Sequence, residues 1–357
     1  MSDWLDGAAA IATLRRVKEL GKPVVGLKLR HADCSDEDFS GLMLAEAELE
    51  DVTFNRANLA GALFNEVSFV NVSFEQASLD RANFFKCRLI DCNAKAAVGR
   101  RLAIAQCELQ AFDATDAKFI EARFVQSNFV DVNLTNADLN TAAMVQTKHD
   151  RTNFSSAFLE QTSLFSLDLR TCIFKGVNGP RIVLTSSNLS GVDLRGVVMP
   201  QAQCGGTSFA RAKMEGADFS GANFIDANMQ ASQMQTGNFT RAAFLRVNMS
   251  DAVLDEAGLD RARVVRSICQ RTSFTRIQGS RTVWHMSDLQ DAKLVDATLV
   301  EADMIGANLT GVDMRGASMR AAKLDRTNKE GLKIDSSSVA MLTTANDAYA
   351  DFVLAST

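Results

Sequence analysis

Large apolar residues recur along this chain at a spacing of five. Stepping by five from Leu29 to Leu324 visits 60 positions, and 50 of them are Leu, Phe, Met, Ile or Val. The residue two before each of these centres is Ala, Val, Ser, Thr, Cys or Gly in 52 of the 60 cases, and the phase never slips. A helical stripe would recur at about 3.6 residues and fall out of step. In extended chain, residues two apart share a face. The small residue and the centre therefore point inward, and the polar residue between them points out. The last two residues of each unit must turn a corner. Gly occupies the second corner position at 41, 61, 191, 196, 216, 221, 306, 311 and 316, as suits a residue free to adopt unusual backbone angles.

Short sides joined by corners close into a coil, and stacked coils pair as parallel strands over one core. In such a solenoid each repeat is stabilised by its neighbours. A chain of 357 residues would ordinarily suggest two or three globular domains. The unbroken repeat argues instead for one elongated domain, 24–334, between an N-terminal segment, 1–23, and a C-terminal one, 335–357.

The units Ala217-Asp218-Phe219-Ser220-Gly221, Ala57-Asn58-Leu59-Ala60-Gly61, Ala137-Asp138-Leu139 and Ala307-Asn308-Leu309-Thr310-Gly311 resemble the signature of the pentapeptide-repeat proteins. The resemblance covers roughly residues 27 to 334. It implies an all-β fold, the family's right-handed quadrilateral parallel β-helix with four units per coil and about 15 coils. Short capping helices are expected at both ends.

At the N-terminus, residues 3–20 read as an amphipathic helix capped by Asp3 and stopped by Gly21 and Pro23, with Leu5, Ala8, Ile11, Ala12 and Leu14 as its apolar face. At the C-terminus, Ser336, Ser337 and Ser338 offer a cap for a helix carrying Leu342, Ala345, Tyr349 and Phe352 on one side. A terminal cap and a homodimer contact both remain open for that segment; the resemblance implies the second.

The net charge is −5, so no global basic footprint points to nucleic acid. No apolar run approaches a membrane span, and residues 1–20 lack a signal-peptide core. A cytoplasmic protein is expected. All seven cysteines fall at inward positions, where Cys acts as a small apolar residue. Cys87 and Cys107, 20 residues apart, should stack on adjacent coils, and reduced thiols fit the cytoplasm.

Two charge features stand out. Coils 31–80 carry many acids, among them Asp36, Glu37, Asp38, Glu46, Glu48, Glu50 and Asp51, against the single base Arg56. Later, Arg241, Arg261 and Arg281 form a column at a spacing of 20, Arg246 and Arg266 a shorter one, and Arg271 and Arg276 occupy the same corner position. A column of guanidinium groups invites an anionic partner unless nearby Asp251, Asp255, Glu256 and Asp260 neutralise it. Gly replaces a centre at 99, 179 and 279, each followed two residues later by Arg101, Arg181 or Arg281, all on one side of the coil. Ile277 partly restores the volume at Gly279, and Phe112 offsets Ala114. Across Cys92, Ala94, Ala97 and Gly99 no compensation is visible, which predicts a bulge or loop within 92–101.

No phosphate loop, metal spacing or nucleophile elbow appears. His149 falls at a centre, between Phe129 and Leu169 one coil either side. His31 and His285 read as isolated, and the oversized centre Trp284 suggests a local bulge. No cofactor, metal or catalysis is expected. The leading reading is a rigid protein-binding scaffold. Similarity in size to long members found with type VI secretion components implies an adaptor or chaperone role. The alternative is a DNA mimic that binds or protects a type II topoisomerase (DNA gyrase), as some members do; the acidic coils are the feature that resembles them.

Overall fold

A computed structural model describes residues 4–335. The chain divides into two compact units, Met1–Gly179 and Pro180–Thr357, and the division falls at one of the three Gly-x-Arg sites.

From Val24 onward in the first unit, residue i pairs in parallel with residue i + 20. One side of the coil forms an eight-stranded sheet running from Leu5–Asp6 through Lys28–Arg30 and Glu48–Glu50 to Lys148–Asp150. A second side forms a seven-stranded sheet from Val24–Val25 to Ala143–Val145. The remaining sides are joined by single bridges such as Asp33↔Thr53 and Asp38↔Asn58. The second unit repeats the step of 20 mostly through single bridges, Val183↔Gln203 onward, with one strand pair, Ala243–Leu245 against Arg263–Val265. Each unit is a parallel β-solenoid, and the two together hold about 13 turns, slightly fewer than the 15 expected.

The local chemistry explains the five-residue signature. The centre's N–H donates to the next coil (Phe54 to Ser73 O, 2.7 Å), and the polar residue before it donates to the previous one (Thr53 to Ala32 O, 2.8 Å). The first corner residue's carbonyl joins the ladder, as Asn55 O accepting from Asp36 N–H at 2.9 Å, and its N–H needs an acceptor of its own. At many corners an Asp or Asn before the centre supplies it through Oδ1: Asp33 accepts from Ser35, Asn58 from Ala60, Asp113 from Thr115, Asn133 from Thr135. Such turns keep an otherwise orphaned donor satisfied. The second corner residue is left-handed in coil after coil, at φ 58° for Arg56, 60° for Asp116 and 60° for Arg241, as well as 68° for Gly61. Glycine is thus the easy solution at a corner that the ladder also imposes on larger residues.

Inside, the centres stack in columns. Phe54 and Phe74 are parallel at 5.7 Å, and Phe224 and Phe244 at 5.0 Å. Such close packing leaves little tolerance for change of volume.

Several expectations need correction. Residues 92–101 do not bulge: the ladder continues from Ala94 to Asp113 O and from Gly99 to Lys118 O. The volume missing at Gly99 is taken up by Phe119 and Leu102, whose side chains lie 3.1 and 3.2 Å from where a Cβ would stand. At Gly279 the filling comes from Ile277, as anticipated, together with Leu299. Trp284 also stays in register. It is fully buried, packs edge-on against Phe274 at 5.1 Å, and donates from Nε1 to Thr282 Oγ1 at 2.8 Å.

The N-terminal helix α1 spans Gly7–Leu20 and ends at the left-handed Gly21. It starts later than expected because Leu5 and Asp6 pair as a strand with Leu29 and Arg30. Its buried residues are Ala10, Leu14 and Val17, one helical stripe. Of the apolar face expected from the sequence, only Leu14 is among them. Asp3 and the C-terminal residues Ser336 to Phe352 lie outside the described residues.

Candidate partner-binding faces

Reading the corner positions at a step of 20 shows what the charged columns do. Arg246 bonds Asp226 (2.6 Å), Arg271 bonds Asp251 (2.7 Å), Arg276 bonds Glu256 (2.5 Å) and Arg281 bonds Glu301 (2.8 Å), each one coil away. Arg101 does the same with Glu121 at 2.7 Å. The guanidinium beside each of Asp226, Asp251 and Glu301 holds that carboxyl below its usual range. These pairs are exposed, and pairs of that kind stabilise little on their own. Their effect is to fill the surface with neutral ladders. Arg181 occupies a left-handed corner at φ 57°.

Three of the predicted arginines are left out of these ladders. Among the described residues, neither Arg241 nor Arg261 has a side-chain hydrogen-bond or ion-pair partner, and the same holds for Arg266. The acids expected to neutralise Arg241 and Arg261 are engaged elsewhere. Asp255 accepts from Thr275 N–H (3.0 Å) and Ser273 Oγ, and Asp260 accepts from Ser280 N–H at 2.8 Å. Arg241 and Arg261 rim an open recess of about 570 Å³, lined also by Pro200, Gln201, Ser220 and Gly221. At this corner the two coils before the arginines carry Gln201 and Gly221.

A recess of about 620 Å³ occupies the same corner position in the first unit, lined by Gly61, Asp80, Arg81, Arg100, Arg101 and Glu121. There Arg101 is bonded to Glu121, and Asp80 accepts the Arg100 N–H at 2.8 Å.

The acidic coils are countered by bases that the local sequence did not reveal. Helix α1 brings Arg15 to Glu37 and Lys18 to Asp38. Arg56 bonds Asp36 at 2.6 Å, and Lys28 bonds Glu48 at 2.9 Å. Asp51 accepts from Asn71 Nδ2 at 2.5 Å. Glu46 and Glu50 have no ion pair among the described residues. The salt bridges at a step of 20 were readable from the sequence; those made by α1 required knowing where the helix docks.

His149 faces inward as expected, its ring 4.9 Å from Phe129. Its Nε2 and Nδ1 lie 2.9 Å from Thr147 Oγ1 and 3.1 Å from Thr152 Oγ1, so the two hydroxyls satisfy both nitrogens of a neutral ring. Burial lowers its pKa to about 4. The other two histidines are not isolated. His31 Nδ1 lies 3.2 Å from Asp6 Oδ1, and His285 Nε2 lies 3.0 Å from Asp303 Oδ1, off the line of a good hydrogen bond. All seven cysteines are free thiols and buried. Among the described residues no group of His, Cys, Asp and Glu could hold a metal ion, and no helix is long and apolar enough to cross a membrane.

These features define a four-sided β-solenoid whose chemistry is carried by its outer columns. The family model for pentapeptide repeats matches 8 copies, over residues 26–61, 57–93, 107–148, 163–201, 202–241 and 287–326. The chain belongs to the pentapeptide-repeat family. Among solved structures it is similar to HetL, a pentapeptide-repeat protein involved in heterocyst differentiation regulation in the cyanobacterium Nostoc (22% identity, 64% of this chain and 91% of that chain, TM-score 0.25). It is also similar to QnrB1, a plasmid-mediated fluoroquinolone resistance protein (15% identity, 57% and 99%, TM-score 0.31). A third likeness is to Rfr23 from the cyanobacterium Cyanothece (16% identity, 42% and 88%, TM-score 0.20). No curated protein sequence matches the chain.

Proposed function

We propose that this protein is a non-enzymatic, rigid binding scaffold for another protein. The observation that carries this reading is the outer surface. Coil by coil, the ladder sets side chains in columns one strand spacing apart, and most charged columns are self-neutralised, which leaves discrete patches in place of one continuous field. Rigid surfaces of this kind bind without the entropy cost of ordering loops. Repeat solenoids use such extended faces for recognition.

The DNA-mimic alternative depends on a continuous acidic stripe. The pairing of Glu37, Asp38, Asp36 and Glu48 with bases weighs against it. An adaptor or chaperone role in type VI secretion would be one form of the scaffold, and no contact among the described residues selects it over others. A tagged full-length chain, used as bait in its native host with bound proteins identified by mass spectrometry, tests the reading. Saturable recovery of a dedicated protein partner is expected. Recovery of topoisomerase subunits alone would replace the scaffold with the mimic.

A further inference from the structure

We infer that the recess at Arg241 and Arg261 is an oxyanion clamp. It takes a carboxylate or phosphate group presented by the bound protein. The inference rests on the scaffold reading for the source of the anion, though not for the site itself.

Four donor-bearing side chains line it. Arg241 and Arg261 occupy equivalent corners of adjacent coils, about 4.8 Å apart by strand spacing, and both side chains are exposed. One residue before Arg241, and one coil before that, stand Thr240 and Ser220, which also line the recess. Neither hydroxyl has a hydrogen-bond partner among the described residues, although both side chains are partly buried. Asn238, the other amide in the lining, is already committed: its Nδ2 donates to Asp218 Oδ1 at 3.0 Å and its Oδ1 accepts from Thr240 N–H at 3.1 Å.

Neighbouring columns differ. At the second corner position of this unit, wherever an arginine has an acid one coil before it or, for Arg281, one coil after, the pair closes: Arg246 with Asp226, Arg271 with Asp251, Arg276 with Glu256, Arg281 with Glu301. In the column of Arg241 and Arg261 the preceding corners are Gln201 and Gly221. The acid that could have faced Arg241 is therefore missing, and space is left in its place. Asp260, the one acid in the lining, has Oδ1 tied to Ser280 N–H. Two like charges carried on adjacent corners are relieved by an anion that bonds both, and a guanidinium fork matches the oxygens of a carboxylate or phosphate.

The test uses the full chain, uniformly labelled with nitrogen-15. The arginine Nε–H signals are followed while inorganic phosphate, or in a separate arm acetate, is added at constant ionic strength. The expected result is saturable movement of the Arg241 and Arg261 signals, with Arg271 and Arg276, closed by their acids, as internal controls that stay in place. Arg261→Gln should raise the half-saturating concentration at Arg241 at least tenfold, and Arg261→Lys less. Response to phosphate alone identifies a phosphorylated side chain as the source; response to both probes identifies a carboxylate as sufficient. Uniform movement of all arginines, or none in either arm, overturns the clamp. Because the probes are small ions, a failed titration leaves the pull-down result standing, and a failed pull-down leaves the titration standing.

Discussion

Replacing His149 with Leu should remove a specific pH dependence of stability. In the native state burial lowers the His149 pKa from 6.5 to about 4, whereas the unfolded chain titrates near the ordinary value. Between those two pH values the unfolded state binds more protons than the native state. Stability from this group is therefore complete above pH 6.5, falls as pH falls through the window, and levels off below pH 4. At about 1.4 kcal/mol per pKa unit, the full loss is about 3 kcal/mol. Between pH 7 and pH 5 the linkage relation yields a loss of about 2 kcal/mol. Urea unfolding at these two pH values, for the natural chain and for His149→Leu, isolates the effect, because every other titrating group is common to both. Leu is already the commonest kind of centre, and the hydroxyls of Thr147 and Thr152 lose their partner at both pH values alike. The natural chain should therefore lose about 2 kcal/mol more than the variant on acidification. Equal losses in the two proteins would refute the assignment of a half-buried, inward-facing neutral imidazole.

Three further outcomes are expected. Gly99→Leu should destabilise by about 1–3 kcal/mol, read as a lower urea midpoint, because Phe119 and Leu102 already occupy the space; a gain in stability would restore the idea of a void. The thiols of Cys34, Cys92 and Cys172 are pushed by burial up to about 12, so the native protein should show no thiol reactive toward Ellman's reagent at pH 8, and all seven should react after unfolding. Asn133→Ala should cost about 1 kcal/mol in urea unfolding, since its Oδ1 accepts from Thr135 N–H and its Nδ2 donates to Thr115 Oγ1 at 2.9 Å; Asn133→Asp should lose less because it keeps the turn.

The period of five, the inward placement of Phe54 or Phe224 and the glycine-tolerant corner were legible because each depends on the chain direction alone. The partners of Arg246, Arg271 and Arg281 were equally legible, at a step of 20, once a coil was taken as the unit of reading. What stayed hidden depends on side-chain direction or on docking. The sequence shows Gly99 as a deficit, but not that Phe119 and Leu102 turn toward it. It shows the acids Glu37 and Asp38, but not that α1 lies where Arg15 and Lys18 can reach them. Leu5 carried an apolar residue at a helix-compatible place, and pairing with Leu29 won over helix propensity.

The step of 20 between hydrogen-bonded neighbours has a bearing on how such a chain can change. Point substitutions at outer positions edit one cell of a grid and leave the interior untouched. Loss or gain of a single residue throws every later side chain off its face and should be lethal to folding downstream. Adding or removing five residues is different: the inward pattern survives, but across that point each outer column is joined to a column from a different corner. Only multiples of 20 preserve both. Arg241 and Arg261 would keep their anion through a whole-coil insertion earlier in the unit and lose each other through a shorter insertion placed between them. The length of insertions tolerated between these two arginines thus reports directly on whether their adjacency is under selection.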